Sequence, residues 1–302
     1  MSPLTECSLC PRRCGADRTK TRGRCGANAD IEVSKIMLHV WEEPPISGKD
    51  KTRGSGAIFF THCSLGCVYC QNGKISRAPC VGEIYSPDAL ADEMLSLEEK
   101  GAYNINCVSP THYSAQIAEA VRIARRRGLT LPIVWNTGGY ELPEVIRTLG
   151  GVVDVFLTDF KYASPDLASL YSSAPDYPEY AALALREMVS LVGAPKYGDD
   201  GMMKRGVIVR HLVLPSHRDD SIAVLHKIAE VVQPSEILLS LMAQYTPDFL
   251  PEAKNEGDRY AKIRRKITTY EYDKVAEEAV RLGFEGFMQE RSSATARFTP
   301  DF

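Results

Sequence analysis

Six short apolar or β-branched runs, separated by amphipathic stretches, constrain what this chain can fold into more than any other feature. The runs cover residues 56–61, 104–108, 131–136, 152–159, 207–214 and 237–241, and the amphipathic stretches cover 87–100, 114–127, 141–149, 178–191 and 219–232. Strands alternating with helical segments imply βαβ units and a parallel sheet. The runs are almost continuously apolar, as expected of strands covered on both faces. The expected fold class is α/β: a partial (β/α)6 barrel, with a doubly wound sheet as the other arrangement of the same units. In both, ligands bind at the carboxyl ends of the strands.

Polar residues stand at just those ends. Cys63 follows the first run, Thr111 and His112 the second, Asn136 and Thr137 close the third, and Asp159 and Lys161 the fourth. Arg210 and His211 lie within the fifth run, and Gln244 and Tyr245 follow the sixth. Together they predict one ring around one pocket. Arg210 and His211 are adjacent in a strand and so face opposite sides, which leaves one of them inward. Asp159 supplies an anion that steadies a bound cation or hydrogen-bonds a sugar hydroxyl, and Lys161 pairs with a ligand carboxylate or with Asp159.

The chain has 302 residues, long enough to bury a large core. Its 36 Lys and Arg against 39 Asp and Glu leave a net charge of -3, without the basic footprint of a nucleic-acid partner. No apolar run approaches the roughly 18 residues of a membrane span. Residues 1–6 lack the apolar segment of a secretory signal, so a cytoplasmic location is expected.

Nine cysteines sharpen the reading. An odd number without a signal argues against a disulfide framework. Cys107 lies in an apolar run and reads as a small buried hydrophobe, and Cys80 follows Pro79 in a loop. The other seven form two groups, Cys7, Cys10, Cys14 and Cys25, and Cys63, Cys67 and Cys70. In Cys63-Ser-Leu-Gly-Cys67-Val-Tyr69-Cys70 the spacing lets three thiolates hold three irons of one cubane cluster. The fourth iron is left without a protein ligand, and an open coordination position is what substrate activation at a metal requires.

On this motif the chain resembles the radical S-adenosylmethionine (SAM) superfamily, in which the open iron binds the amino and carboxylate groups of the methionine moiety. Tyr69 matches the aromatic residue that superfamily places before its third cysteine. Cys70-Gln71-Asn72-Gly73 is similar to the Cys-His-Asn continuation of the glycyl-radical-enzyme activating enzymes, such as that of pyruvate formate-lyase. Asn136-Thr137-Gly138-Gly139 resembles their Asp-Thr-Asn-Gly segment, residues 154–161 their Asp-x-Lys strand end, and Arg210-His211-Leu-Val-Leu-Pro215 their Arg-x-x-x-x-Pro strand. The resemblance spans about residues 55–245 and is strongest to the PflX-type branch, which carries an N-terminal Cys-rich extension.

This resemblance implies a 4Fe–4S cluster on Cys63, Cys67 and Cys70. It further implies SAM bound by Tyr69, Asn72, Thr111, Asn136, Asp159, Lys161, Arg210 and Gln244. The chain departs from the pattern where Ser109-Pro110-Thr111-His112 replaces the Gly-Gly-Glu that holds the SAM amino group, at Asn136 for aspartate, and at Gln244 for histidine. The implied activity is reductive cleavage of SAM to a 5′-deoxyadenosyl radical that takes hydrogen from a substrate. A glycyl-radical-enzyme activase comes first, with a small-molecule or sugar epimerase or mutase as the alternative. A non-catalytic iron–sulfur or metal protein is the reading from another class. The partners implied are a glycyl-radical enzyme and a reductant of the flavodoxin or ferredoxin kind.

The spacing Cys7-x2-Cys10-x3-Cys14-x10-Cys25 forms a second constellation. So small a segment has almost no core of its own, which makes a metal its natural staple: zinc or a second iron–sulfur cluster. The expected organisation is a Cys-rich extension over 1–54, a radical SAM core over 55–245, and a loop and helix packing on the core over 246–302. Residues 171–180 and 248–259 read as loops that cover the pocket mouth.

Overall fold

The six apolar runs become six parallel neighbours in one sheet, because each run has apolar partners on both of its faces. The structure is a computed structural model and describes residues 4–77, 82–252 and 257–289. In chain order the strands are β1 (Ile31–His39), β2 (Gly54–Phe60), β3 (Glu83–Tyr85), β4 (Ala102–Val108), β5 (Ile133–Thr137), β6 (Val155–Asp159), β7 (Lys196–Tyr197), β8 (Met203–Leu212), β9 (Leu238–Met242) and β10 (Gly286–Met288). The helices are α1 (Pro44–Ser47), α2 (Gly73–Ser76), α3 (Pro87–Glu99), α4 (Ser114–Arg126), α5 (Pro143–Arg147), α6 (Pro165–Ser172), α7 (Tyr177–Val192), α8 (Arg218–Val231) and α9 (Thr269–Arg281).

The sheet runs β10-β9-β8-β6-β5-β4-β2-β1-β3, with β7 paired to β8 to one side. Strands β2, β4, β5, β6, β8 and β9 are the six parallel strands of the expected (β/α)6 unit. The sheet is open. Strand β10 adds a parallel edge, while β1 from the N-terminal extension pairs antiparallel to β2 and carries β3 beyond it.

Side-chain alternation divides the molecule. Ile105, Cys107, Trp135, Phe156, Val209 and Leu241 point toward the helices and join the main core. Val134, Val155, Leu157, Ile208 and Leu238 point the other way and pack on Ile46 of α1, which is fully buried. The extension therefore fills the face of the sheet that its helices leave uncovered. Gly48 closes α1 at φ 72°, and a Cβ there would stand 2.5 Å from the Tyr103 ring, so only glycine lets this plug seat.

Local chemistry sets the helix starts. Ser86 caps α3 by accepting from the Ala89 amide at 3.1 Å, with Pro87 in the first turn. Ser164 does the same for α6 through Leu167, and Thr268 with Glu271 forms a capping box for α9.

Some expectations change. The helix read over 141–149 shrinks to α5, because Pro143 has no amide to donate and tolerates only the first helical turn. The strand read over 152–159 begins at Val155, and Val152 and Val153 are buried in the turn before it. Residues 171–180 are not a loop over the mouth. They are the end of α6, a short link and the start of α7, with Tyr171 and Tyr177 fully buried. Sequence rich in Ser, Pro and Tyr suggested a loop, but the tyrosine rings pack against one another and Pro178 sits in a helical first turn. Of the other stretch, 253–256 lie outside the described residues, as does Cys80.

A candidate active site at the carboxyl ends of the strands

Strand β2 ends in buried apolar residues, and the chain then turns at His62, a non-glycine residue at φ 71°. This backbone is held from the side: His62 Nε2 meets Glu32 Oε2 at 2.7 Å and Arg22 Nη1 at 3.1 Å. The turn projects residues 63–70 as a tight loop, closed by backbone bonds from Cys70 to Cys67 at 3.2 Å and from Gly73 to Cys70 at 3.0 Å. Cys63, Cys67 and Cys70 line one cavity of about 570 Å³. Burial, with Cys67 and Cys70 beside it, pushes the Cys63 thiol up to about 12, and burial raises Cys67 as well.

Each of these sulfurs receives at least one donor. Ser172 Oγ donates to Cys67 at 2.9 Å, Ser76 Oγ to Cys70 at 3.5 Å, and the Leu65 amide to Cys63 at 3.5 Å. Donors aimed at sulfur favour the thiolate form. Thiols such as Cys63 and Cys67, which burial keeps protonated on their own but which receive donors, suit a cationic metal centre. Among the described residues, no three His, Cys, Asp or Glu side chains stand where a single ion would bind them all. A cluster distributes its thiolates over separate irons, so the loop fits that group better than one ion.

Opposite the loop, the other strand ends converge. Asn136, Thr137, Asp159, Lys161, Arg210, Gln244 and Tyr245 all line the same cavity, and so does Asn72, two residues after the loop at the start of α2. Asp159 and Lys161 form an ion pair. Burial alone would discharge Lys161, but Asp159 and Cys67 outweigh it and hold its pKa well above the ordinary value. The pair is shaped by Gly139 at φ 79°, since a Cβ there would lie 2.1 Å from the Asp159 carbonyl. The Asn136–Gly139 segment can close onto β6 only with glycine at that point. Asn72 lines the cavity with its Oδ1 buried and without a partner. Tyr69 also lines it, and its hydroxyl meets that of Tyr162 at 2.5 Å. Gln244 Oε1 accepts from Gln289 at 3.2 Å.

Thr111 and His112 lie elsewhere. Thr111 Oγ1 donates to Glu141 Oε1 at 2.6 Å, and the residue faces a small separate cavity behind Cys63. His112 is buried, with Nε2 donating to the Thr61 carbonyl at 2.8 Å, and burial pushes it down to about 3. It is a structural tie, not a proton relay in the main cavity. Arg210 is the inward member of its pair, while His211 is buried and donates through Nδ1 to the Phe160 carbonyl at 2.7 Å. Cys107 is fully buried on the helix side of the sheet.

Sequence reasoning missed several participants. Glu42 and Glu43 line the cavity and hold Arg210. Two adjacent acids after an extended run, in Trp41-Glu-Glu-Pro-Pro, were the available signal. Glu141 is 1% exposed and burial pushes its carboxyl up to about 7. Ser172 carried no signal, because its sulfur contact is made across 105 residues.

The N-terminal cysteines sit beside the loop. Cys7 and Cys10 are buried, Cys25 is half-buried and Cys14 is exposed. The sulfurs of Cys14 and Cys25 flank Gly23, 3.7 and 3.6 Å from where its Cβ would be. Burial, with Cys25 and Cys7 nearby, pushes Cys10 up to about 12. Between Cys10 and Cys14, Arg12 donates to the Ser64 carbonyl at 3.0 Å and to the Ser172 carbonyl at 3.1 Å. The segment is thereby tied to both sides of the Cys63–Cys70 loop.

The chain is 27% identical over 283 residues to Uncharacterized protein MJ0674 of Methanocaldococcus jannaschii, an alignment covering 90% of this chain and 73% of that one. Among solved structures it is similar to methylornithine synthase (PylB), at 14% identity and a TM-score of 0.46. That similarity covers 74% of this chain, which spans 63% of the length of the other. Residues 57–191, from β2 through the three-cysteine loop and into α7, match the family model described as Radical SAM superfamily.

Proposed function

We propose that the chain is a radical SAM enzyme whose Cys63, Cys67 and Cys70 hold a 4Fe–4S cluster, and that it acts as an activase of a glycyl-radical enzyme. When bound, the cluster and SAM supply a 5′-deoxyadenosyl radical that abstracts a hydrogen atom. The chain's own residues do the rest. Asn72, Asn136, Asp159, Lys161 and Gln244 offer polar partners for SAM around the cavity, and Tyr69 braces the loop from below. Recessed at the strand ends, the cavity limits the access of water to a reactive primary radical. The observation that carries the reading is the convergence of three donor-supplied thiols and the Asp159–Lys161 pair on one cavity.

Activation of a partner requires one hydrogen abstraction and no return of hydrogen to the substrate, whereas an epimerase needs a donor such as a second thiol. Among the described residues, the cysteines lining the cavity are Cys63, Cys67 and Cys70 alone, and Cys107 is behind the sheet. This favours the activase, with a flavodoxin or ferredoxin as electron source. Incubation with SAM, a strong reductant and a glycyl-radical enzyme is expected to leave a persistent protein radical on the partner, seen by electron paramagnetic resonance. A small molecule isolated with deuterium from solvent at one carbon would favour the epimerase.

Cys7, Cys10, Cys14 and Cys25 are read as ligands of a structural metal that staples the extension to the core. Their sulfurs do not share one ion as they stand, so binding would draw them together. One zinc per chain in anaerobically isolated protein supports zinc; roughly eight irons per chain supports a second cluster.

A further inference from the structure

We propose that the cavity wall built by Glu42, Glu43 and Arg210 is a substrate subsite for a cationic nitrogen group, an ammonium or a guanidinium. The proposal rests on the radical SAM reading of the thiol-lined part of the same cavity, and it names a substrate feature that the reading leaves open.

Glu42 and Glu43 come from the segment between β1 and α1, and Arg210 comes from β8; all three line the cavity. Their side chains are 8%, 6% and 13% exposed. Arg210 Nε donates to Glu43 Oε1 at 2.7 Å and its Nη2 to Glu43 Oε2 at 2.5 Å, and Nη2 also reaches Glu42. Two carboxylates against one guanidinium leave one negative charge in excess. A buried charge is costly unless something pairs with it. Among the described residues lining the cavity, the other cation, Lys161, is committed to Asp159, and His39, which also lines this wall, is driven toward its neutral form by burial.

Asn106 does not itself line the cavity, but it bonds the wall through Glu42 and carries an unmet group there. It is fully buried, and its Nδ2 donates to Glu42 Oε1 at 3.1 Å. Its Oδ1 is buried without a hydrogen-bond partner. An acceptor that lacks a donor, beside two carboxylates that share one guanidinium, complements a positively charged N–H group. An anionic or purely apolar ligand would leave both unmet. The ligand class is therefore a substrate bearing an amine or guanidine, presented either by a free small molecule or by a basic residue in a peptide.

The test is calorimetric titration of cluster-loaded protein in the presence of SAM, with paired probes that differ in charge and little in shape. Butylguanidinium is compared with butylurea. A five-residue glycine-containing peptide with arginine beside the glycine is compared with the same peptide carrying citrulline. The charged member of at least one pair is expected to bind at least tenfold more tightly. Preference in the small pair alone marks a small-molecule substrate, and preference in the peptide pair alone marks a protein one. Glu42→Gln is isosteric and leaves a neutral Arg210–Glu43 pair, so it is expected to abolish the preference. Glu43→Gln provides the same check should the first variant fold poorly. Equal affinities within both pairs overturn the proposal, as does a preference that survives both substitutions. SAM affinity separates the two levels: normal SAM binding without a cation preference removes the subsite alone. Failure of the loaded protein to bind SAM removes the reading beneath it. A SAM affinity that falls in Glu42→Gln, with no change for the probes, assigns the excess charge to the sulfonium and overturns the subsite.

Discussion

Glu141 shows how much of the site's behaviour resides in single buried groups. Both Thr111 and Thr137 hydroxyls donate to its Oε1, yet burial still pushes the carboxyl up to about 7. The sign of the pH effect follows. Between the ordinary carboxylate range and pH 7 the unfolded chain releases this proton while the folded chain keeps it, so stability falls as pH rises through that window. A shift of this size corresponds to about 3 kcal/mol at pH 8. Glu141→Gln keeps an oxygen for both threonines and has no charge to bury. Its urea midpoint is expected to stay flatter between pH 5 and 8 and to exceed the parent's at pH 8; a parallel decline in both proteins would count against this account. Ser172 gives a second residue-level expectation. A hydroxyl donated to a ligating sulfur stabilises the reduced, more negative cluster. Ser172→Ala should therefore lower the potential of a cluster on Cys67, measured by redox titration, while iron content stays unchanged. The cysteines, Asp159, Lys161 and Arg210 were legible because their chemistry is tied to short spacing or to a strand end. Glu141, Ser172 and the Glu42–Glu43 pair were not, because their roles arise from contacts made between distant segments.

At the level of elements, the segment that carries α1 decides the depth of the cavity. Ile46 is fully buried against Val134, Val155, Leu157, Ile208 and Leu238. Ile46→Ala is expected to cost about 2–5 kcal/mol in urea unfolding, through lost contacts and the space left behind. It should also loosen the segment that positions Glu42 and Glu43, so weaker cation binding is expected alongside the stability loss. The parallel strands were readable because a strand covered on both faces must be apolar throughout, whatever its partners. Strand β1 was not. Residues 31–39 mix Glu32, Ser34 and Lys35 with apolar residues without a regular alternation, and only pairing with β2 and β3 determines that they extend the sheet. Likewise, beyond the amphipathic stretch that begins at 178, nothing local marked residues 171–177 as helical ends, since their tyrosines gain order from their contacts.

The whole molecule combines a parallel α/β core with an N-terminal extension that touches it at three places: β1 on the sheet edge, α1 against the uncovered face, and the four-cysteine segment against the Cys63–Cys70 loop. The extension is thus part of the site, which a division by sequence at residue 54 does not convey. Arg12 is the clearest tie, and Arg12→Ala is expected to slow cluster-dependent turnover more than it lowers iron content, as measured on matched preparations. Everything rests on whether the three-cysteine cavity cleaves SAM. Anaerobically reconstituted protein with about four irons on the loop, given SAM and a strong one-electron reductant, is predicted to release 5′-deoxyadenosine and methionine in equal amounts, and Cys67→Ala is predicted to release neither. A fully loaded parent protein that forms neither product would contradict the account.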